Sequence, residues 1–190
     1  KEMAIEIPLS SGPVRIGAMA KGSGMIAPNM ATMIAIVTTD ARIAPDTLKA
    51  LLREKVDVSF NCMCVDNDMS TSDAVLCLAN GLAMTSPIEP GTPDFERFAE
   101  ALEQICVAMA KAVVRDGEGA TKFVEIRVNG AESDEDAKTA ARAIAHSQLC
   151  KTAFFGEDAN WGRIACAAGD SGIQFAPDRL CISLGDLPVV

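Results

Sequence analysis

A threonine that precedes a strand-like apolar run is the residue of this sequence best suited to act as a nucleophile. Residues 21–33 read KGSGMIAPNMATM, so a glycine-rich stretch leads through Pro28 to Ala31 and Thr32. A threonine hydroxyl is a weak nucleophile at neutral pH, but its own α-amine can serve as the base once that amine is free. Freeing it requires cleavage of the Ala31–Thr32 bond. Because Ala-Thr pairs are common, the spacing alone leaves this hypothesis open.

The cut that such a threonine needs can come from the residue itself. Its hydroxyl attacks the preceding carbonyl carbon, the peptide bond shifts from nitrogen to oxygen, and water hydrolyses the resulting ester.

Two charged residues fit a small zwitterionic substrate. Lys21 is a mobile cation suited to a carboxylate, and Glu118 lies on a glycine-flanked turn where it can pair with an ammonium. Each is equally compatible with an ordinary surface charge.

Three other familiar sequence motifs are each disfavoured by one residue that does not fit. The glycines before Ser23 have a Walker-like spacing, but a serine stands where that motif needs lysine. The stretch from Asp66 begins like a calcium-binding loop, yet Thr71 replaces its required glycine. A serine triad needs a histidine, and the single one, His146, belongs to the end of a polar, alanine-rich helix.

Composition narrows the class of protein further. The 190 residues are 49% apolar, which suffices for one sizeable core or two small ones. No apolar run is long enough to cross a membrane, no secretory signal opens the sequence, and the net charge of −9 disfavours nucleic acid as a partner. Seven cysteines without a CxxC pair indicate free, buried thiols in a reducing compartment, and we expect no metal site.

Helix and strand signals alternate along the chain, so the fold class is α/β or α+β. The patterns predict strands at 3–8, 13–19, 33–39, 57–65, 122–128, 151–155, 173–175 and 180–184. They predict helices that begin at Pro45, Ser70, Thr92, Ser133 and Asn160. The long helix after Thr92 ends at a glycine-rich segment, which we interpret as a domain boundary between residues 1–117 and 118–190, although glycines there are equally compatible with an ordinary turn.

Four segments together resemble the ornithine acetyltransferase family, also called glutamate N-acetyltransferase. They are residues 21–33, 66–73, 115–123 (RDGEGATKF) and 151–163 (KTAFFGEDANWGR), which occur in the family's order. The resemblance covers nearly the whole chain. Within it, Cys64, Asn67 and Ser72 depart from the family pattern, which usually has Thr, Gly and Asn there. Asparagine still tolerates a left-handed turn.

The resemblance implies a function, with roles for four residues. The family cuts itself between Ala31 and Thr32. Thr32 then takes acetyl from N-acetylornithine and passes it to glutamate by a ping-pong mechanism, in cytoplasmic arginine biosynthesis. Lys21, Thr32 and Glu118 match substrate-binding positions. No cofactor is implied, acetyl-CoA is a further candidate donor, and neither nucleic acid nor a membrane is a partner.

The resemblance also implies a fold and an assembly. The fold is a layered αββα sandwich, partly formed by residues 1–117, followed by a smaller α+β domain to which 118–190 belong. The family's oxyanion-hole Thr-Gly pair would precede Lys1, and two substrate contacts would follow Val190. We therefore expect complementary segments of the same protein to complete the site, in a homo-oligomer of cleaved heterodimers.

Two other functions remain open from the sequence. A self-processing Thr-nucleophile amidohydrolase or aminopeptidase would discharge its acyl-enzyme to water instead of glutamate. An uncleaved homologue could instead serve as an assembly subunit without activity. The fate of an acetyl-enzyme distinguishes the first alternative, and the mass of the intact protein distinguishes the second.

Overall fold

The computed structural model of the chain describes residues 1–25, 33–68 and 72–190. Two compact units follow one another along it, Lys1–Ala120 and Thr121–Val190. Each unit has its own cluster of buried apolar side chains. The mixed α/β class predicted from the sequence is confirmed. The αββα layering and the assignment of the two halves to parts of two domains stay predictions.

A four-stranded sheet forms the centre of the first unit. Its strands are β1 (Glu2–Leu9), β2 (Gly12–Lys21), β3 (Ile34–Thr39) and β4 (Ala74–Ala79), and they lie side by side in that order. The first three strands pair antiparallel, whereas β3 and β4 run parallel. Lys21 ends β2 directly opposite Ile34, and Ile34 lies opposite Ala74. The end of β2 and the starts of β3 and β4 therefore meet at one edge of the sheet.

Two helices pack with this sheet. Helix α1 spans Pro45–Asp57, and α2 spans Pro93–Arg115 with the Thr92 hydroxyl accepting a hydrogen bond from the Phe95 amide at 3.2 Å. Proline in the first turn favours both helix starts because its missing N–H needs no partner there. The apolar residues that recur along α2 at steps of three and four lie in the core. The buried ones are Phe98, Leu102, Ile105, Met109 and Val113.

Two predictions for the first unit are wrong. The segment 57–65 is not a strand but contains a short 3-10 helix, Phe60–Cys62. The segment after Asp73 is not a helix but the strand β4, and Ser70, which would have capped that helix, lies outside the described residues. Pairing with β3 decides the second case, because a six-residue apolar run suits a buried helix and a buried strand equally.

The second unit is built from three helices, α3 (Asp134–His146), α4 (Gln148–Phe155) and α5 (Trp161–Gly169). The predicted α3 and α5 are confirmed, whereas the strand predicted at 151–155 is wrong, because that segment completes α4. Ser147 starts this helix, its hydroxyl accepting the Cys150 amide at 3.2 Å.

Only part of the strand content predicted for the second unit is present. Within the described residues, 122–128 and 173–175 join no strand ladder. The segment predicted at 180–184 is reduced to the two-residue β5 (Ser183–Leu184), which pairs with β6 (Leu187–Pro188).

All seven cysteines are free thiols, but the prediction that they are buried holds for only some of them. Cys106 and Cys150 are buried, whereas Cys62, Cys166 and Cys181 are exposed. Burial raises the pKa of Cys106 to about 12, with Cys77 and Glu103 adding to the rise. Burial alone raises the pKa of Cys77 to about 11. Both core thiols are therefore protonated and unreactive at neutral pH.

Candidate active site

The glycine loop, residues 21–25, leaves the sheet at the end of β2 and carries the first candidate residue. The Lys21 side chain is exposed at the strand's last position. Gly22 follows with a φ of +153° and Met25 has a φ of +53°, so the chain bends sharply within a few residues. The Lys1 ammonium donates to the Gly22 carbonyl at 2.9 Å, which holds the loop against the start of β1.

The acidic turn, residues 116–119, carries the second candidate residue directly after α2. Its tight course depends on glycine at two positions. A Cβ on Gly117 would lie 3.0 Å from the Val114 carbonyl oxygen and 3.1 Å from a Val65 methyl carbon, so a side chain there would force these neighbours to shift. Gly119 adopts a φ of +70°, which favours glycine. Between them the Glu118 side chain is exposed to solvent.

Two contacts join the acidic turn to the glycine loop. The Glu118 amide donates to the Ser23 carbonyl at 2.6 Å. Lys1, which already holds Gly22, also pairs with the Asp116 carboxylate, and this ion pair lowers the pKa of Asp116 below its usual range. The structure therefore brings Lys21 and Glu118, which are 97 positions apart in the sequence, onto two segments that are hydrogen-bonded to each other.

A second carboxylate lies beside Glu118 across Gly24. One oxygen of Asp66 accepts the Met25 amide at 2.6 Å, and the other accepts the Asp68 amide at 3.1 Å. A Cβ added to Gly24 would lie 2.9 Å from Glu118 Oε2 and 3.7 Å from Asp66 Oδ2. The absence of a side chain at Gly24 is what allows the Glu118 carboxylate to approach the loop.

The loop that contains Asp66 also shows how one departure from the family pattern is accommodated. Asn67 adopts a φ of +68°, so the asparagine takes the left-handed turn expected at this position. Its side-chain oxygen accepts from the Cys64 thiol at 3.2 Å. Two of the three substituted positions therefore contact each other, and the turn is preserved without glycine.

A third carboxylate, Asp73, lies where β4 begins. Its Oδ1 accepts the Met33 amide at 2.7 Å, and the Ala74 amide donates to the Met33 carbonyl at 3.0 Å. Burial raises the pKa of Asp73, and the Met33 amide and the Lys21 ammonium offset part of that rise. Met33 follows Thr32 in the sequence, so Asp73 contacts the residue next to the candidate nucleophile.

Some residues of this site could be identified from the sequence, whereas others could not. Lys21 and Glu118 lie where the glycine loop meets the acidic turn. Ala31 and Thr32 lie outside the described residues. Asp66 and Asp73 were given no role, although both belong to a segment that carries the family resemblance. The sequence does show an acid at each end of that segment, but the Met25 and Met33 amides that these acids accept are 40 or more positions away.

The charges of this site suit a small amino acid. Among the described residues, no hydrogen bond or ion pair occupies the side chain of Lys21 or of Glu118. An ammonium and a carboxylate on adjoining segments can bind the carboxylate and the ammonium of one zwitterion. The same described part of the chain holds no group of three or more potential metal ligands and no helix long and apolar enough to cross a membrane.

Replacing Gly24 tests whether the position of Glu118 matters. In the complete protein, Gly24→Ala places a methyl group 2.9 Å from Glu118 Oε2, which is too close, so the flexible carboxylate must move away. We expect kcat/KM for an ammonium-bearing substrate to fall by roughly tenfold, since a misplacement of about 1 Å can cost up to about a hundredfold. The melting temperature should hold, because Gly24 does not have a positive φ.

Gly169→Ala is the matched control for that variant. Nothing lies within 4 Å of a Cβ at Gly169, so the same substitution there should leave kcat/KM unchanged. Unchanged kinetics in Gly24→Ala would show that the precise location of the Glu118 carboxylate is unimportant.

Comparison with known proteins gives one consistent result. The model of the ArgJ family matches residues 1–190. Two proteins named arginine biosynthesis bifunctional protein ArgJ are similar to the chain. The one from Symbiobacterium thermophilum is 53% identical over all 190 residues, and the one from Listeria monocytogenes is 47% identical over the same length. These alignments cover 47% and 48% of the two relatives, so the chain spans about half of their length.

A solved structure agrees with these matches. The crystal structure of the arginine biosynthesis bifunctional protein argJ from Bacillus halodurans superposes with a TM-score of 0.79 at 42% identity. The superposition covers 82% of this chain and 73% of that one.

Proposed function

The chain belongs to the ArgJ family, and we propose on that basis that the protein containing it transfers acetyl from N-acetylornithine to glutamate through an acetyl-threonine enzyme. The observation that carries the proposal is the hydrogen bond between the Glu118 amide and the Ser23 carbonyl. It brings a carboxylate that pairs with no other described residue to the loop that bears Lys21. In the sequence, this loop leads to Ala31 and Thr32.

The first step of the proposed function prepares the nucleophile. The Thr32 hydroxyl attacks the Ala31 carbonyl carbon, the C–N bond breaks as the ester forms, and the nitrogen takes up the hydroxyl proton. Water then hydrolyses the ester, which leaves the Ala31 carboxylate on one fragment and a free Thr32 α-amine on the other. That amine can accept the hydroxyl proton in the transfer reaction that follows.

The transfer reaction consists of two acyl exchanges. Thr32 Oγ attacks the acetyl carbonyl of N-acetylornithine, and the amide nitrogen leaves as the α-amine of ornithine after it gains a proton. Glutamate then attacks the acetyl ester with its α-amine, which restores the Thr32 hydroxyl. In both exchanges Lys21 would bind the amino-acid carboxylate, whereas Glu118 would bind the side-chain ammonium of ornithine in the first exchange only.

Several parts of the proposal rest on the family resemblance alone. They are the absence of a cofactor, the use of acetyl-CoA as a second donor, the cytoplasmic location and the assembly of cleaved heterodimers. The relatives are named bifunctional, which agrees with a second acetyl donor. The size of the cleaved protein on a gel-filtration column, measured against its denatured fragments, tests the assembly.

An isolated acyl-enzyme tests the proposed transfer directly. The complete, cleaved protein is incubated with N-acetylornithine, and its peptides are then analysed by mass spectrometry. We expect one acetyl group on the fragment that begins at Thr32, and we expect added glutamate to remove it much faster than buffer does. Equal loss with and without glutamate would identify an amidohydrolase instead, and the absence of any acetylated peptide would overturn the covalent mechanism.

A further inference from the structure

Asp73 makes a contact that the proposed reaction does not yet use. Its Oδ1 accepts the Met33 amide at 2.7 Å, while the next residue, Ala74, donates its amide to the Met33 carbonyl at 3.0 Å. Both backbone groups of Met33 are thereby held by two consecutive residues, the one before β4 and the first one of β4. The Met33 side chain is itself only 1% exposed, so this residue is fixed by packing as well as by hydrogen bonds.

The burial of Asp73 indicates that stability is not the reason for an acid at this position. Its second oxygen, Oδ2, is buried and has no hydrogen-bond partner among the described residues. Burial also raises the pKa of this carboxyl, which means that the folded protein disfavours its charged form. A buried polar atom without a partner costs free energy, and such atoms in native proteins call for an explanation in function.

A second aspartate shows what the same bond does elsewhere in this sheet. Asp40 follows β3 at its opposite end, and its Oδ1 accepts the Arg15 amide at 2.8 Å. Asp40 and Asp73 are both partly buried, and both close a strand end by accepting a backbone N–H. They differ in location, because only Asp73 holds the residue that adjoins Thr32 in the sequence.

We propose that Asp73 is a positioning residue that fixes the backbone immediately after the nucleophile by binding the Met33 amide. This inference rests on the proposed function, since it assigns Asp73 to the reaction of Thr32. The nucleophile must be held close to its productive geometry in both self-cleavage and acetyl transfer. An anchor on the next peptide limits how far the chain behind Thr32 can move. Substrate affinity, which depends on Lys21 and Glu118, is not part of this role.

Three variants of the complete protein test the inference. Asp73→Ala removes the acceptor, Asp73→Asn keeps a neutral acceptor of the same shape, and Asp40→Ala removes the matching bond at the far end of β3. The rate of self-cleavage and the kcat and KM for N-acetylornithine are measured for each. Melting temperatures show whether a variant is folded.

The expected results separate positioning from mere stability. Asp73→Ala should slow self-cleavage and lower kcat by about tenfold or more, with KM within about twofold, because a loosened nucleophile affects the transition state and not substrate binding. In Asp73→Asn the self-cleavage rate and kcat should lie within about threefold of the wild type, because the amide oxygen of the asparagine can still accept the Met33 N–H. Asp40→Ala should match the wild type in both rates, whatever its melting temperature.

Several results would overturn the inference. They are wild-type rates in Asp73→Ala, an Asp73→Asn protein as slow as Asp73→Ala, or an equal slowing in Asp40→Ala. If Asp73→Ala does not fold, a tenfold slower but folded Asp73→Asn would overturn it too. A wild-type protein that never cuts itself would instead refute the proposed function, so the two failures are distinguishable.

Discussion

The variant Thr32→Ala is expected to remain a single chain, because the only proposed nucleophile for the cut is the hydroxyl that this change removes. In the wild type the Ala31–Thr32 bond should break without any added protease. Thr32→Ser keeps a hydroxyl and should cut at a comparable or reduced rate. Denaturing mass spectrometry of the complete protein measures the fragments directly.

The loss of acetyl transfer in Thr32→Ala should be as complete as the loss of cleavage. Removing the nucleophile of a covalent mechanism costs about 10⁴-fold or more in kcat. Thr38→Ala is the matched control, because Thr38 lies exposed on β3, six positions further along. That variant should cut itself and transfer acetyl like the wild type. Efficient cleavage in Thr32→Ala would rule out self-processing by this residue.

Where local signals agreed with tertiary packing, the sequence predicted the fold well. Helix α2 is the clearest case, because a threonine cap, a proline in the first turn and an apolar stripe all indicate the same element. The strands β1, β2 and β3 were found for a similar reason, since their apolar runs are bounded by turn residues. These elements form the sheet and the helix that support the candidate site.

The wrong predictions arose where tertiary pairing or a cap decided between two local interpretations. The run after Asp73 became β4 because β3 offers it a parallel partner. The segment 151–155 became part of α4 because Ser147, upstream of the run, caps a helix there. A pattern confined to five or six residues cannot contain either piece of information.

The same limit explains which site residues were missed. Lys21 and Glu118 came from the resemblance, and their chemistry can be interpreted from residue type alone. The role of Asp73 depends on its bond to Met33, which exists only if β3 and β4 pair in parallel with this register. Since the sequence predicts a helix that begins at Ser70 and includes Asp73, that bond could not be anticipated.

Replacing Glu118 by glutamine is expected to impair the use of N-acetylornithine while leaving self-cleavage intact. Glutamine preserves the shape of the side chain but removes the charge that would bind the substrate ammonium. A hydrogen bond to a charged group contributes about 1.5–3 kcal/mol. The value of kcat/KM should therefore fall by roughly ten- to a hundredfold.

Structural consequences of this change should be small. The bond that joins the acidic turn to the glycine loop uses the Glu118 amide, not its carboxylate, and it survives in Glu118→Gln. The carboxylate is exposed and pairs with no other described residue, so its loss leaves no buried group without a partner. The melting temperature should remain within a few degrees of the wild type.

The position of Glu118 permits a direct comparison of charge with geometry. Gly24→Ala moves a charged carboxylate, whereas Glu118→Gln neutralises it in place, and both should reduce kcat/KM for N-acetylornithine. Glu100→Gln on the exposed face of α2 removes one negative charge elsewhere in the same unit and should change nothing. Added salt should lower kcat/KM of the wild-type enzyme toward the value of Glu118→Gln, because salt screens the attraction between the exposed carboxylate and the substrate ammonium.

Kinetics of the fully processed Glu118→Gln enzyme decide whether Glu118 binds substrate. An unchanged kcat/KM would make Glu118 an ordinary turn residue, held at the site only by its backbone. A failure to self-cleave would instead assign the carboxylate to folding or to the geometry of the cut, because no substrate ammonium takes part in that step. Reduced kcat/KM together with normal cleavage is the one combination that places the charge of Glu118 in substrate recognition.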